Sequence, residues 1–556
     1  MKTSSVLLIS LFIMLYILPL GVRPLIIPDE PRYGEIPREM IASGDWIVPR
    51  LNGLRYFEKP VMGYWLNGLS ICLFGENAFA VRFPSAMAAG SSALMLFALM
   101  RRFAGRSGGE LSNVSPGILC AAVFLTCFQV YAIGTFSVLD SMLSLFVTAA
   151  MFSFFFVYME DNPARKMKLL AVFGTFCGFA FLTKGFLAFA VPVVAIAPFM
   201  IWEKRWKNLF AIAPIPIAAA VLVSLPWALA IHFKESDFWH YFFWIEHIKR
   251  FAAQDAQHSE PFWFFIPGLL GGALPWTALF PAVISGLKET SFKHPLNRFA
   301  LCWFVFPFLF FSASSGKLLT YILPCFAPLA ILITTGLMSY IESGRKKAFN
   351  TGLRVLAGLA AVAAGVLIFN QLTGFPGVTA YREGETWKWL IGAGTLAIWA
   401  VMLAVAAKQS EFRKKLVLYC AAPLFLLCCV HFILPVQTLV RKAPGEFLMS
   451  HSADITPDTI IVSHETALHA VCWFYKRNDV YLLVNPGELE YGLTYEDSKH
   501  RLLDTEQFRQ LVNENAGKHQ VVLISKARDY RRYKDQLPKP VSEDDNGGFV
   551  FARFSF

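Results

Sequence analysis

The sequence predicts an all-α polytopic membrane protein that ends in a small α/β domain. Three observations predict it. Of 556 residues, 56% are hydrophobic and only 16% are charged, with a mean hydropathy of +0.49. Apolar runs long enough to cross a bilayer recur along most of the chain. From about residue 441 the runs shorten and read as strands with helices between them. A soluble reading would require many helices without a polar face.

Candidate spans lie near residues 5–22, 78–100, 117–135, 138–158, 169–183, 185–202, 209–231, 262–286, 299–312, 320–340, 352–369, 389–407 and 416–435, about thirteen in all. Those at 169–183 and 299–312 are short. The first follows Lys2 as a signal peptide would, but Pro24 and Pro28 stand where a small-residue cleavage site would be. It reads as an uncleaved span.

Orientation follows from basic loops. "RRFAGRSGG", "NPARKMK", "EKRWK", "KETSFKHPLNR", "SGRKK" and "KQSEFRKK" stand in alternate loops and are expected on the cytoplasmic side. The net charge of +11 is therefore mostly an orientation signal. No basic face or aromatic–basic platform in a soluble segment points to nucleic acid. The expected organisation is a membrane domain over 1–440, with outer loops 23–77 and 232–261, and an outer α/β domain over 441–556. There "TIIVSH", "VYLLV" and "QVVLIS" read as strands. "ETALHAVCWFYKR" and "DTEQFRQLVNENAG" read as helices, the second with an Asp cap and a closing Gly. Nine of the ten cysteines lie in or beside spans and only Cys472 lies in the outer domain, so no structural disulfide is expected.

The loop after the first span carries the densest chemistry. In "PDEPRYGEIPREMIASGDWIVP", Asp29 or Glu30 is placed to cap a helix starting at Pro31, with Gly44 as its stop. The helix is expected to lie flat in the interface, with Glu35, Arg38 and Glu39 facing water. Asp29, Glu30 and Arg32 sit at the membrane edge instead. "GLRYFEKPVMGYW" adds Arg55, Tyr56, Glu58 and Lys59, followed by a second interfacial segment to Phe74.

Charges also stand where a bilayer penalises them. Asp140 in "TFSVLDSML", Lys184 in "FLTKGF" and Lys317 in "SSGKLLTYILP" all map to the outer ends of spans. Such groups cost about 2.5–3.5 kcal/mol at mid-membrane and less near the edge. Three in one leaflet argue for a shared polar cavity opening outward. Arg32, Arg55, Lys59, Lys184 and Lys317 suit phosphate. The carboxylates of Asp29, Glu30, Glu58 and Asp140 would repel it unless they hold a metal, a cationic group or a sugar hydroxyl. This mixture suits phosphate-linked sugar transfer. A flippase or secondary transporter would more often show symmetric halves with helices broken near mid-membrane. A non-catalytic scaffold leaves Asp140, Lys184 and Lys317 unexplained.

Six stretches, "PDEPRYGEIPREMIASGDWIVP", "GLRYFEKPVMGYW", "YAIGTFSVLDSML", "LTKGFLA", "FWHYFFWIEHIKRF" and "GKLLTYIL", occur in order. Together they resemble the aminoarabinose transferases that modify lipid A, which are GT-C glycosyltransferases related to protein O-mannosyltransferases. The resemblance spans about residues 5–340; Leu319 departs from it, standing where proline is frequent. It implies thirteen transmembrane helices, a C-terminal periplasmic α/β domain and a multi-pass place in the bacterial inner membrane with the active site facing the periplasm. It implies transfer of 4-amino-4-deoxy-L-arabinose from undecaprenyl phosphate to a lipid A phosphate, with inversion, giving polymyxin resistance. Asp29 and Asp140 are then the candidate catalytic groups. Glu30, Arg32, Arg55, Tyr56, Lys59, Lys184, Lys317 and Tyr321 are the candidate substrate-binding groups. A protein O-mannosyltransferase is the nearest enzymatic alternative.

Spacing alone is a poor metal signal here: His240 and His247 are two helical turns apart, and Glu246 points away from His247. The resemblance implies a divalent metal, zinc, held by Glu58 and His247; otherwise the histidines are interfacial. Asp255 and His258 read as loop-shaping. In the outer domain His464, Glu465 and His469 give no convergent face, and no catalytic group is expected there.

Overall fold

The computed structural model describes residues 2–105, 114–249, 259–290 and 292–554, the side chains of 2–5 and 247–249 excepted. Among the described residues eight helices are long and apolar enough to cross a membrane: Ala78–Phe103, Leu139–Met159, Pro163–Lys184, Lys207–Lys234, Pro295–Ala313, Leu319–Glu342, Lys347–Thr373 and Thr386–Lys408. Two further apolar pairs are bent, Pro116–Thr126 with Phe128–Gly134 by 68° and Phe265–Gly272 with Trp276–Thr290 by 95°, giving up to ten. The sequence read each bent pair as one straight run, because hydropathy carries no information about direction.

The two segments that looked short are not. Pro163–Lys184 has 22 residues and Pro295–Ala313 has 19. Hydropathy cut both at their charged first turns, yet those turns are helical. Asn162 caps the first by accepting from the amides of Ala164 and Arg165, with Pro163 at the favoured first position. Small residues then let helices touch. A side chain at Gly174 would meet the Pro216 carbonyl at 2.2 Å, so Pro163–Lys184 lies directly on Lys207–Lys234. Leu319–Glu342 is the innermost span, with 89% of its apolar window buried.

The first-loop helix runs Asp29–Ser43 and stops at Gly44, whose φ is +71°. It starts two residues earlier than the sequence suggested, and neither Asp29 nor Glu30 caps it: Pro28 is the cap residue, with no side-chain cap bond. A short hairpin follows, β1 (Arg50–Leu51) and β2 (Leu54–Arg55). Asn52 and Gly53 both take positive φ at its tip, as an Asn-Gly turn requires. The helix Met62–Phe74 completes the loop.

The C-terminal domain is a six-stranded mixed sheet, ordered β5-β4-β3-β6-β8-β7. β3 (Ile460–Ser463), β4 (Tyr481–Leu483), β5 (Leu502–Leu503) and β6 (Val521–Lys526) are parallel neighbours. β7 (Ser542–Asp545) and β8 (Phe549–Arg553) add an antiparallel edge to β6. The helix Thr505–Asn515 has the expected Asp504 cap, completed by Gln507 into a capping box.

This domain sits on the first loop. Asn52 exchanges two hydrogen bonds with the Val480 backbone, at 2.8 and 3.0 Å, and its carbonyl accepts from Arg501 at 2.8 Å. A side chain at Gly34 would meet Trp473 of the helix Glu465–Tyr475 at 3.0 Å. That lid corrects the expectation for Glu35, Arg38 and Glu39: all three are buried rather than facing water, and Arg38 forks onto Glu35 at 2.6 and 2.7 Å. A residue's local pattern cannot reveal a cover that comes from 430 residues downstream.

Candidate active site

Asp29 opens the loop helix, and Arg32 follows one turn later on the same face. The Arg32 guanidinium donates to Asp29 Oδ1 and, through its other terminal nitrogen, to Glu488 Oε2 of the C-terminal domain. Arg32 is buried, its charge 5.0 Å from the centre of the Tyr33 ring. Glu488 lies in the turn that follows β4. Its Oε2 also accepts from the Tyr56 hydroxyl at 2.9 Å, and that hydroxyl lies 3.4 Å from Glu58 Oε2. Lys59 donates to Glu246 Oε1 at 2.5 Å and to the Glu58 carbonyl at 2.8 Å. Asp29, Arg32, Tyr56, Glu58 and Lys59 are thus one connected polar network, tied at its centre by Glu488.

A second group comes from three membrane helices. Asp140 lies in the first turn of Leu139–Met159, Lys184 ends Pro163–Lys184, and Tyr321 lies in the tight turn that begins Leu319–Glu342. Lys184 Nζ donates to Asp140 Oδ1 at 2.5 Å and sits 4.6 Å from the centre of the Tyr321 ring. Residues 44 and 181 positions from Asp140 therefore converge on it. Both charges of the pair are nearly buried, at 13% and 10% side-chain exposure, and each offsets the other's desolvation.

The second group acts on the first. Burial pushes the Asp29 carboxyl above the ordinary range, Arg32 pulls it back, and the negative charges of Glu488 and Asp140 add to the rise. Glu488 goes the other way. Burial alone would raise it, but Arg32, His469 and the Tyr56 hydroxyl outweigh burial and bring it down to about 2. One carboxylate is locked ionised while its neighbour, on the same arginine, is held less firmly so.

Several sequence candidates lie elsewhere. Glu30 is fully buried and accepts from Arg23 at 2.7 and 3.0 Å, from Arg82 at 2.6 and 2.8 Å, and from the amides of Ile26 and Ser137. Its oxygens are spent on a structural clamp, which replaces the substrate contact expected of it. Arg55 pairs with Glu235 at 2.8 Å and Asp497 at 3.0 Å and stacks 4.1 Å over Tyr495; it joins the two outer loops to the C-terminal domain. Lys317, 4% exposed, donates to the carbonyls of Glu260 and Ser314, so its ammonium staples a loop here. Lys59 Nζ lies 3.8 Å from Glu58 Oε2 and 2.5 Å from Glu246 Oε1, so one ammonium answers both carboxylates. Among the described residues no three metal-ligating side chains gather. The side chain of His247 lies outside the described residues, as do Asp255 and His258.

The C-terminal triplet behaves differently from its sequence reading. His469 is fully buried beside Arg32 and Glu488, and burial followed by Arg32 lowers it to about 4. His464 stacks on Tyr533 with ring centres 5.4 Å apart. Sequence reasoning missed Glu488, Arg82 and Arg23. Arg82 carried a usable signal, a charge inside an apolar run, whereas Glu488 sits in "NPGELEYGL", where nothing periodic marks it.

A family model described as dolichyl-phosphate-mannose-protein mannosyltransferase matches residues 4–242. Another, described as arabinosyl transferase ArnT, C-terminal domain, matches residues 439–553. The undecaprenyl phosphate-alpha-4-amino-4-deoxy-L-arabinose arabinosyl transferase of Shewanella sediminis is 41% identical over 545 residues, covering 98% of this chain and 96% of that one. The namesake protein of Erwinia tasmaniensis is 39% identical, covering 100% of this chain and 99% of its own. Among solved structures, apo ArnT from Cupriavidus metallidurans superposes with a TM-score of 0.81 at 20% identity, covering 99% of this chain and 98% of that one. That likeness establishes an ArnT-like, GT-C fold.

Proposed function

This chain belongs to the undecaprenyl phosphate-aminoarabinose arabinosyl transferases, and we propose that it moves 4-amino-4-deoxy-L-arabinose from undecaprenyl phosphate to a phosphate of lipid A. The enzyme sits in the bacterial inner membrane with thirteen crossings. Val6–Gly21, Leu187–Trp202 and the broken helix over 412–429 join the ten spans above. The active site and C-terminal domain face the periplasm, because the basic loops fall together on the other side.

The reaction needs little proton transfer. The acceptor phosphate is already anionic, so no strong general base is required. Its oxygen attacks the anomeric carbon, the carbon–oxygen bond to undecaprenyl phosphate breaks, and undecaprenyl phosphate leaves with that electron pair. A single displacement of this kind inverts the anomeric centre. The difficulty is electrostatic, since two phosphates must approach one another. Lys184, Lys59 and Arg32 supply the opposing charge, fixed in place before substrates arrive. Asp29 positions the reacting centre or holds the sugar's ammonium, and Asp140 holds Lys184.

The observation that carries this reading is the convergence of Asp140, Lys184 and Tyr321 from three helices, electrostatically coupled to Asp29. Zinc held by Glu58 and His247 is part of the proposal. Bound there, it would add positive charge beside the phosphates. Metal content measured on Glu58→Gln protein tests that part separately.

The match of residues 4–242 to protein mannosyltransferases supports one alternative, a protein acceptor. Mass spectrometry of the products decides between them. Lipid A heavier by one aminopentose supports the proposal; a glycosylated protein with unmodified lipid A contradicts it.

A further inference from the structure

The transfer site leaves one charged cavity unused. A cavity of about 610 Å³ opens where the helix Phe280–Thr290, the end of Leu319–Glu342 and the start of Lys347–Thr373 meet. Leu319–Glu342 begins beside Lys317 and ends here, so the cavity lies one full span away from the Asp140–Lys184 pair.

Its mouth and its wall differ in chemistry. Arg345, Lys346 and Lys347 stand in succession at the mouth, with the hydroxyls of Ser285, Tyr340 and Thr351 nearby. Arg345 donates to Ser285 Oγ at 2.9 Å and lies 5.2 Å from the centre of the Tyr340 ring. Its other terminal nitrogen meets Glu289. Among the described residues the lining carries three cations and no acid, and with Glu289 on Arg345 the mouth stays positive. The 27-residue helix that starts at Lys347 directs its positive end to the same place. The wall, in contrast, is formed by Ala278, Pro281, Ala348, Gly352 and Val355. Ala348, Gly352 and Val355, spaced four and three residues apart, form one stripe of that helix. The stripe runs from the cations along the span. Val355, Leu359, Val362 and Val366 of the same helix are exposed and apolar, which places this side against lipid.

We propose that this cavity binds an anionic glycerophospholipid of the bilayer, its phosphate at Arg345–Lys347 and an acyl chain along Ala348–Val355. A cationic mouth joined to an apolar slot matches both ends of such a lipid, and basic pockets between spans on the positive face are a known form of headgroup site. Free phosphate would use the mouth and leave the slot empty. A zwitterionic headgroup would bring its own ammonium against three cations. The site shares no residue with the transfer site, so it stands or falls independently of the proposed reaction.

The test uses full-length protein purified in mild detergent. Phosphatidylglycerol, phosphatidylcholine and inorganic phosphate are added separately, and binding is read by native mass spectrometry and by thermal unfolding. Phosphatidylglycerol should be retained about ten-fold more than phosphatidylcholine and should raise the unfolding midpoint, whereas inorganic phosphate should not. Arg345→Gln with Lys347→Gln should remove the preference. Thr351→Trp, which fills the slot without changing charge, should weaken retention while leaving transfer activity intact. Equal retention of the two lipids in the unaltered protein overturns the proposal. So does stabilisation by inorganic phosphate equal to that by phosphatidylglycerol, which would make the mouth a simple anion site. The comparison on unaltered protein decides the matter even where a variant folds poorly.

Discussion

Glu488 of the C-terminal domain and Arg32 of the first loop form an ion pair across the domain boundary, and Arg32 carries that contact on to Asp29. The C-terminal domain therefore reaches the candidate site's network with a charged group, a contact that the sequence does not announce. Removing the carboxylate leaves Arg32 with one acid instead of two and weakens the charged contact that holds the Tyr56 hydroxyl. Glu488→Gln should lower kcat about ten-fold or more, in line with the loss of one buried charged contact. Glu488→Asp should recover part of it. Initial rates with lipid-linked donor check this; an unchanged kcat in folded Glu488→Gln protein would remove Glu488 from the network.

The same residue sets a pH signature. Its folded value, about 2, lies below the ordinary 4.5. A depressed carboxyl contributes stability that is complete above the unfolded value and is lost as pH falls toward the folded one. The stability difference between unaltered protein and Glu488→Gln should be constant above about pH 5 and shrink on acidification toward the folded value. Melting curves across pH 3–7 read it directly, and a difference that grew on acidification would contradict the assignment.

Lys184 and Asp140 should behave as a unit. Lys184→Ala strands Asp140, Asp140→Asn loosens Lys184, and the double variant should lose little more than either single one. Lys166 lies at the other end of the helix that Lys184 terminates, so Lys166→Ala should be close to silent. Equal losses at Lys166 and Lys184 would show that the site has been placed at the wrong end of the helix.

Glu30 and its arginines predict the opposite phenotype. Breaking a buried pair by removing one partner costs about 3–5 kcal/mol. Arg82→Ala and Glu30→Gln should therefore reduce folded yield in detergent, as monitored by size-exclusion chromatography, rather than act on turnover of well-folded protein. Normal yield with abolished activity would return Glu30 to the substrate site.

How much of this was legible in the sequence depends on the distance over which each signal acts. Asp140 and Lys184 announced themselves because a charge at an apolar edge is anomalous within its own window. Arg82 obeys the same rule. Glu488 has no such mark: its meaning comes from Arg32, 456 positions away. Glu35, Arg38 and Glu39 looked solvated because their cover, Trp473 and its helix, belongs to another domain. The strands β3, β4 and β6 were readable as buried apolar runs. The hairpin of β7 and β8 carries one local signal, the Asn546-Gly547 turn between them. His464 and His469 are both buried, so replacing them would test the packing of the domain rather than its chemistry.

The central claim is that Asp29, held by Arg32 beside the Asp140–Lys184 pair, acts in the transfer itself. The most direct measurement is lipid A mass spectrometry in a strain whose only such transferase carries Asp29→Asn, with expression and membrane insertion checked on the same cells. The account predicts normally inserted protein, no aminopentose on lipid A and lost polymyxin resistance. Lipid A modified at the normal level by that variant would contradict it.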